Sequence, residues 1–146
     1  ITMFLTVHVF QIIMEEILHY ADLFLYDLKH MNSEKHRYWT GVNNDLILKN
    51  LRLISDHDKE YQIRIPLIEG VNCDDNNIRE TLFFLDGLKN RPTVVGLLPY
   101  HNIAVKKFEK LGKRYLENGM QKPSEDRVGR ICDLFKQNGF NVNIGG

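Results

Sequence analysis

The stretch Asp22-Leu-Phe-Leu-Tyr-Asp-Leu-Lys-His-Met31 decides the fold. Leu23, Phe24, Leu25 and Tyr26 form an uncharged run suited to a parallel strand covered on both faces. Asp27, Lys29 and His30 then follow at once, where such a strand leaves the core. In open α/β sheets and α/β barrels, ligands are held at the C-terminal ends of the strands. A carboxylate and an ammonium placed there need partners. A ligand is one answer. A turn capped by Asp27 and a solvated Lys29 is the other.

On either side of this stretch the chain alternates. Residues 1–9 read as a strand or strand remnant. Residues 11–20 read as a helix, with Ile12, Ile13, Ile17 and Leu18 on one face and Glu15 and Glu16 on or near the other. After the strand come a polar loop and a short helix, residues 32–39. Asn43 or Asn44 is placed to cap a helix reaching about Asp56, striped by Leu46, Ile47, Leu51 and Ile54. Residues 61–67 are the next strand, leaving through Pro66-Leu-Ile-Glu-Gly-Val-Asn72, where Gly70 can take positive φ. Asp74, Asp75 and Asn76 open a helix that ends near Lys89 and buries Ile78, Leu82, Phe83 and Leu85. Residues 93–98 form a third strand, stopped by Pro99. Residues 104–115 suit a lysine-rich helix. Pro123 suits the first turn of a last helix with Val128, Ile131, Leu134 and Phe135 as its apolar positions. Residues 140–144 close the chain as a strand. Strand and helix in turn, with short connections, predict a parallel α/β sheet, open or barrel-like.

Composition narrows the functions. The chain has 146 residues, one domain's worth, with 19 Lys plus Arg against 19 Asp plus Glu. A formal charge of zero gives no electrostatic footprint for nucleic acid or for an anionic membrane. The apolar N-terminal run is too short to span a bilayer and lacks the basic flank and cleavage site of a leader. Two distant cysteines, Cys73 and Cys132, are no disulfide framework and fit a reducing, cytoplasmic setting.

Polar groups recur at successive strand ends. The first strand delivers Asp27 and Lys29. The second has Arg64 within it and Asn72 beyond it. The third delivers Tyr100, His101 and Asn102. If these strands are neighbours, the groups share a rim. Separately, Arg64 could pair with a local carboxylate and His101 could be a surface loop histidine.

The blocks Asp22-Leu-Phe-Leu-Tyr-Asp-Leu-Lys-His-Met-Asn32, Ser33-Glu-Lys-His36, Thr40-Gly-Val-Asn43, Ile63-Arg-Ile-Pro-Leu-Ile-Glu-Gly-Val-Asn72, Leu97-Leu-Pro-Tyr-His101 and Lys107-Phe-Glu-Lys-Leu-Gly112 occur in that order. Together they resemble the C-terminal half of glycyl-radical enzyme activating enzymes, the family typified by pyruvate formate-lyase activating enzyme. The resemblance implies a fragment of a partial TIM-like α/β barrel with parallel strands. It implies a radical S-adenosylmethionine oxidoreductase that uses a [4Fe–4S] cluster to cleave S-adenosylmethionine reductively. The resulting 5′-deoxyadenosyl radical takes a hydrogen from a glycine of a partner glycyl-radical enzyme, with an electron donor such as flavodoxin.

Carried over by residue, the resemblance implies that Asp27 borders the S-adenosylmethionine site and helps hold a monovalent cation. It places Lys29 near the cofactor's charged end, Arg64 on a carboxylate or ribose hydroxyl, and His101 beside the nucleoside. None of these generates the radical. The cluster loop Cys-x-x-x-Cys-x-x-Cys and the glycine-rich segment that holds the methionine amino group are absent from this sequence, and two cysteines cannot supply three thiolates. Thr2 stands for the threonine of the family's Asp-Thr pair, but Ile1 cannot replace its carboxylate. The fragment alone is therefore expected to be inactive and to self-associate through an exposed sheet edge. Other readings are a non-catalytic nucleoside- or phosphate-binding module and a structural half-barrel.

Overall fold

The computed structural model describes residues 2–5, 11–101 and 119–145. In chain order the elements are β1 (Thr2–Leu5), α1 (Gln11–Tyr20), β2 (Leu23–Asp27), α2 (Ser33–Thr40), α3 (Asp45–Asp56), β3 (Glu60–Leu67), α4 (Asp75–Asp86), β4 (Val94–Pro99), α5 (Glu125–Gln137) and β5 (Val142–Ile144). The five strands make one sheet in the order β1-β2-β3-β4-β5, every pair parallel. Parallel neighbours taken in sequence order need a crossover at each step, and the helices supply it. The strands therefore all end on the same side. The helix expected over residues 104–115, Asn102, and the part of residues 1–9 beyond β1 lie outside the described residues.

The helices cover one face. Along β3, Tyr61, Ile63, Ile65 and Leu67 are buried, while Gln62, Arg64 and Pro66 on the other face are half-buried. In β2, Phe24 and Tyr26 are buried and Leu23 and Leu25 are not. The expectation of a strand covered on both faces is corrected here: its apolar run has one helix-covered face. Met14 and Leu18 of α1, Leu51 and Ile54 of α3, Ile78 and Leu85 of α4, and Ile131 and Phe135 of α5 complete the core.

Several helix details differ from the sequence reading. In α1 Met14 joins Leu18 in the core, and Ile13 is 47% exposed. In α4 it is Phe84 that turns inward, and Phe83 is 85% exposed. Both helices carry consecutive apolar residues, so the period does not choose between neighbours. The α4 helix stops at Asp86 rather than near Lys89. Pro123 precedes the cap of α5 instead of opening it. The cap is Ser124, whose side chain accepts from the Arg127 N–H. Asn44 stands at the N-cap position of α3 but makes no side-chain cap bond. Its amide is used elsewhere, as described next.

Candidate functional site

Asp27 and Arg64 are register partners on adjacent strands, so their side chains leave the same face of the sheet. Arg64 donates from Nε (2.7 Å) and Nη2 (2.6 Å) to Asp27 Oδ1. The same row continues through Gly96 of β4 to Asn143 of β5. A Cβ at Gly96 would come within 3.0 Å of Asn143 Oδ1, so the Asn143 amide lies against the place a side chain would take.

Beyond β2 the backbone of residues 29–31 is held by three buried asparagines. Asn72 Nδ2 donates to the Lys29 carbonyl (2.9 Å) and the Pro66 carbonyl (2.5 Å). Asn44 Nδ2 donates to the carbonyls of His30 (3.0 Å) and Met31 (2.6 Å). Asn77 Oδ1 accepts from the Met31 N–H (2.9 Å), and its Nδ2 donates to the Asn72 carbonyl (2.9 Å). Buried carbonyls outside the ladder need such partners. The result is a strand-end platform fixed to the loops of its neighbours. Asn72, expected as a rim group, lines the cleft and is also the clasp of this platform.

Over this platform lies a cleft of about 510 Å³. Its polar floor is Asp27, Lys29 and His30, and Trp39, Val42, Ile47, Ile68, Val71 and Met120 are among its apolar walls. Its far wall is pinned where Glu69 and Gln121 exchange backbone hydrogen bonds (2.9 and 3.1 Å). The Lys29 ammonium has no carboxylate partner among the described residues.

Two buried histidines line the cleft, His30 at 4% and His36 at 2% exposure. The Asn32 N–H donates to His30 Nδ1 (3.0 Å), so that nitrogen carries a lone pair. Burial, reinforced by the Lys35 ammonium, pushes the His30 pKa down, which favours the neutral ring. Its proton then sits on Nε2, which is buried and has no partner among the described residues. An unmatched buried donor costs about 1–3 kcal/mol. His36 Nδ1 lies 2.6 Å from the Val42 carbonyl, which can only accept, so Nδ1 is the donor there.

Sequence reasoning noted His30 at the strand exit without giving it a role, and missed His36 and Trp39 as cleft residues. The signal available was the placement of His30, His36 and Trp39 directly after the strand end. Of the expected site residues, Asp27 and Lys29 floor the cleft, and Arg64 is tied to it through Asp27. His101 lies past β4, is exposed, and is not among the residues lining the cleft.

The donor set suits an anionic organic ligand better than a metal. Among the described residues no group of three or more His, Cys, Asp or Glu side chains could hold a metal ion. Both cysteines are buried. Burial, helped by the Glu69 charge, pushes the Cys73 thiol up to about 12, the opposite of a ligating thiolate. An iron–sulfur cluster therefore does not fit the residues of this chain. No helix among the described residues is long and apolar enough to cross a membrane.

No family model matches the chain. Curated relatives do. It is 46% identical over 128 residues to trans-4-hydroxy-L-proline dehydratase activating enzyme of Clostridioides difficile, covering 86% of this chain and 42% of that protein. It is 35% identical over 127 residues to choline trimethylamine-lyase activating enzyme of Oleidesulfovibrio alaskensis, covering 86% of this chain and 41% of that one. The chain thus spans about two-fifths of these relatives' length. Among solved structures, a domain of pyruvate-formate lyase-activating enzyme from Bacteroides vulgatus matches with TM-score 0.84 and 35% identity, covering 99% of this chain and 80% of that one. SuiB of Streptococcus suis, at 14% identity and TM-score 0.70, shares the fold alone.

Proposed function

The chain belongs to the glycyl-radical enzyme activating enzymes, and from that premise we propose that it is the C-terminal part of one. In this reading it contributes the Asp27–Lys29 cleft as part of an S-adenosylmethionine site. The observation that supports it is the meeting, on adjacent strands, of the Asp27–Arg64 pair and an ammonium with no carboxylate partner among the described residues, over an amphipathic cleft. Residues present suit the cofactor: Lys29 offers a cation to its carboxylate, Trp39 and Ile47 offer apolar surface, and the asparagine platform fixes the floor. His101 is assigned to the nucleoside end. A monovalent cation at Asp27 would compete with Arg64 for one carboxylate.

Bound S-adenosylmethionine supplies the hydrogen-abstracting chemistry in this family, and the partner is a glycyl-radical enzyme, with flavodoxin as the class of electron donor. What this chain's residues do is narrower. Arg64 fixes the Asp27 carboxylate, and Lys29 orients an anion. The apolar walls exclude water from its surroundings. The relatives named for dehydratases, lyases and decarboxylases support a glycyl-radical enzyme as partner class.

Two measurements test this. Titration of residues 1–146 with S-adenosylhomocysteine should show saturable binding, weakened about tenfold in Lys29→Met, the scale of one lost charged contact. Binding unaffected by that substitution would reject the assignment of Lys29. Iron–sulfur reconstitution of the same chain should leave it colourless and without activity. A stable [4Fe–4S] absorption would contradict the reading that cluster ligands lie elsewhere.

A further inference from the structure

We propose that Arg127, on the outer helix α5, is a positioning residue for the floor of the cleft, holding the Lys29 backbone in place through Cys73 and Asn72. The ligand that reports on this role rests on the S-adenosylmethionine reading; the hydrogen bonds do not. Arg127 spends its whole guanidinium on one loop. Nε donates to the Cys73 carbonyl (3.0 Å), Nη2 donates to the same oxygen, and Nη1 pairs with Asp75 (2.7 Å). A long cation on a surface helix ordinarily keeps its head in water. The Arg127 side chain is instead only 24% exposed. It is not among the residues lining the cleft, so it acts through this chain of bonds and not by contact with a ligand.

The Cys73 carbonyl is a telling acceptor. Cys73 sits between Asn72, the clasp of the platform, and Asp74, the N-cap of α4. Asn72 grips on three sides. Its Nδ2 donates to the Lys29 and Pro66 carbonyls, and its Oδ1 accepts from the Ile68 N–H (2.8 Å). Asn77 closes the ring from α4, with Nδ2 on the Asn72 carbonyl and Oδ1 on the Met31 N–H. Asn72 and Asn77 are both buried, so each depends on its protein partners. The backbone carrying Asn72 is thus held from α4 by Asn77 and from α5 by Arg127. The Lys29 ammonium stands on a flexible four-carbon stem. Fixing the backbone beneath that stem lowers the freedom lost when the ammonium meets an anion. Release of the Cys73 carbonyl loosens Asn72 and, with it, the Lys29 carbonyl.

Two readouts on the 146-residue chain test this, the first without ligand. In Arg127→Met the Ile68 and Met31 N–H groups, which end on Asn72 and Asn77, should exchange with solvent about tenfold faster, while the amides of α1 keep their wild-type rates. Unchanged rates at both groups overturn the proposal, and equal acceleration throughout the chain makes Arg127 a residue of general stability and overturns it too. The second readout is binding, followed by the fluorescence of Trp39, the chain's single tryptophan, which lines the cleft. S-adenosylhomocysteine affinity should fall about threefold in Arg127→Met and stay unchanged when the substitution is made in the Lys29→Met background, because the effect runs through Lys29. 5′-Methylthioadenosine, which keeps the nucleoside but has no carboxylate, should bind Arg127→Met as it binds the wild type. Additive losses in the double variant, or equal losses for both nucleosides, overturn the positioning role and leave the cofactor reading standing. No binding to the wild type overturns the cofactor reading, and faster exchange at Ile68 and Met31 then still supports Arg127 as the residue that positions the floor. Should Arg127→Met fail to fold, Arg127→Lys keeps the charge and loses the two-pronged grip, and the same pattern is expected of it.

Discussion

At the scale of single residues, the site is a balance of matched and unmatched groups. Asp27 and Arg64 are matched, and a half-buried carboxylate in a strand would be costly without the guanidinium. The sequence placed Asp27 at a strand end and Arg64 within a strand, and the register made them a pair. His30 is the unmatched case, and its state sets a pH dependence. The charged groups that act on it are Lys35, Asp74, His36 and Glu80, with burial dominant and the net effect downward from 6.5. The unfolded chain therefore takes up a proton near pH 6.5 that the folded chain resists. Stability contributed by neutral His30 is complete above pH 6.5 and is lost as pH falls towards the lower folded value. The urea midpoint of the wild type should drop on going from pH 7.5 to 5.5, and that of His30→Gln should drop less. Parallel midpoints across that range would mean that His30 titrates alike in both states. Nothing in the sequence could have revealed this state, because it depends on Asn32 folding back onto Nδ1.

At the scale of elements, local rules and register were legible to different degrees. The strand of residues 61–67 and the helix caps are local matters, and Asn32 and Asp74 accept from the N–H groups of Lys35 and Asn77 as capping chemistry dictates. The inward face of α4 is not local. Leu82-Phe-Phe-Leu85 offers two aromatic residues, and contact with the sheet selects Phe84. Asn44 is a similar case, drawn from capping to the carbonyls of His30 and Met31 by where α3 meets the strand end. The loop after β3 was legible in one residue. Gly70 takes φ 81°, and a Cβ there would lie 2.5 Å from the Gly119 carbonyl oxygen. Gly70→Ala meets both a left-handed backbone and a backbone clash. It should cost about 2–3 kcal/mol or more in chemical unfolding, since the left-handed conformation alone accounts for about 1–3. It should also loosen the Glu69–Gln121 pairing that holds Met120 against the cleft. A loss below about 0.5 kcal/mol, the scale of an ordinary surface change, would show that this clasp yields freely.

At the scale of the molecule, the sheet is parallel, five-stranded and covered by helices on one face. Parallel sheets are found with both faces covered, because their connections place helices or a closed barrel around them. Here Leu23 and Leu25 of β2 and Val94 and Leu98 of β4 remain half-buried on the other face. Among the described residues β1 is also an edge, paired on one side only, to β2. An unpaired parallel edge presents a row of N–H and C=O groups to any chain that can match it. Fully burying an aliphatic side chain is worth about 1.5–3 kcal/mol, so several half-buried ones on one face give association a substantial drive. The sequence showed the alternation that builds such a sheet but not which face would be left open, because openness depends on what else covers it. The 146-residue chain should therefore self-associate. Light scattering should give a mass above that of a 17.2 kDa monomer as concentration rises, and deletion of residues 1–10 should shift the equilibrium. A monomer mass at every concentration, unchanged by the deletion, would mean that the edge and the open face are tolerated in solution and that β1 is an ordinary short edge strand.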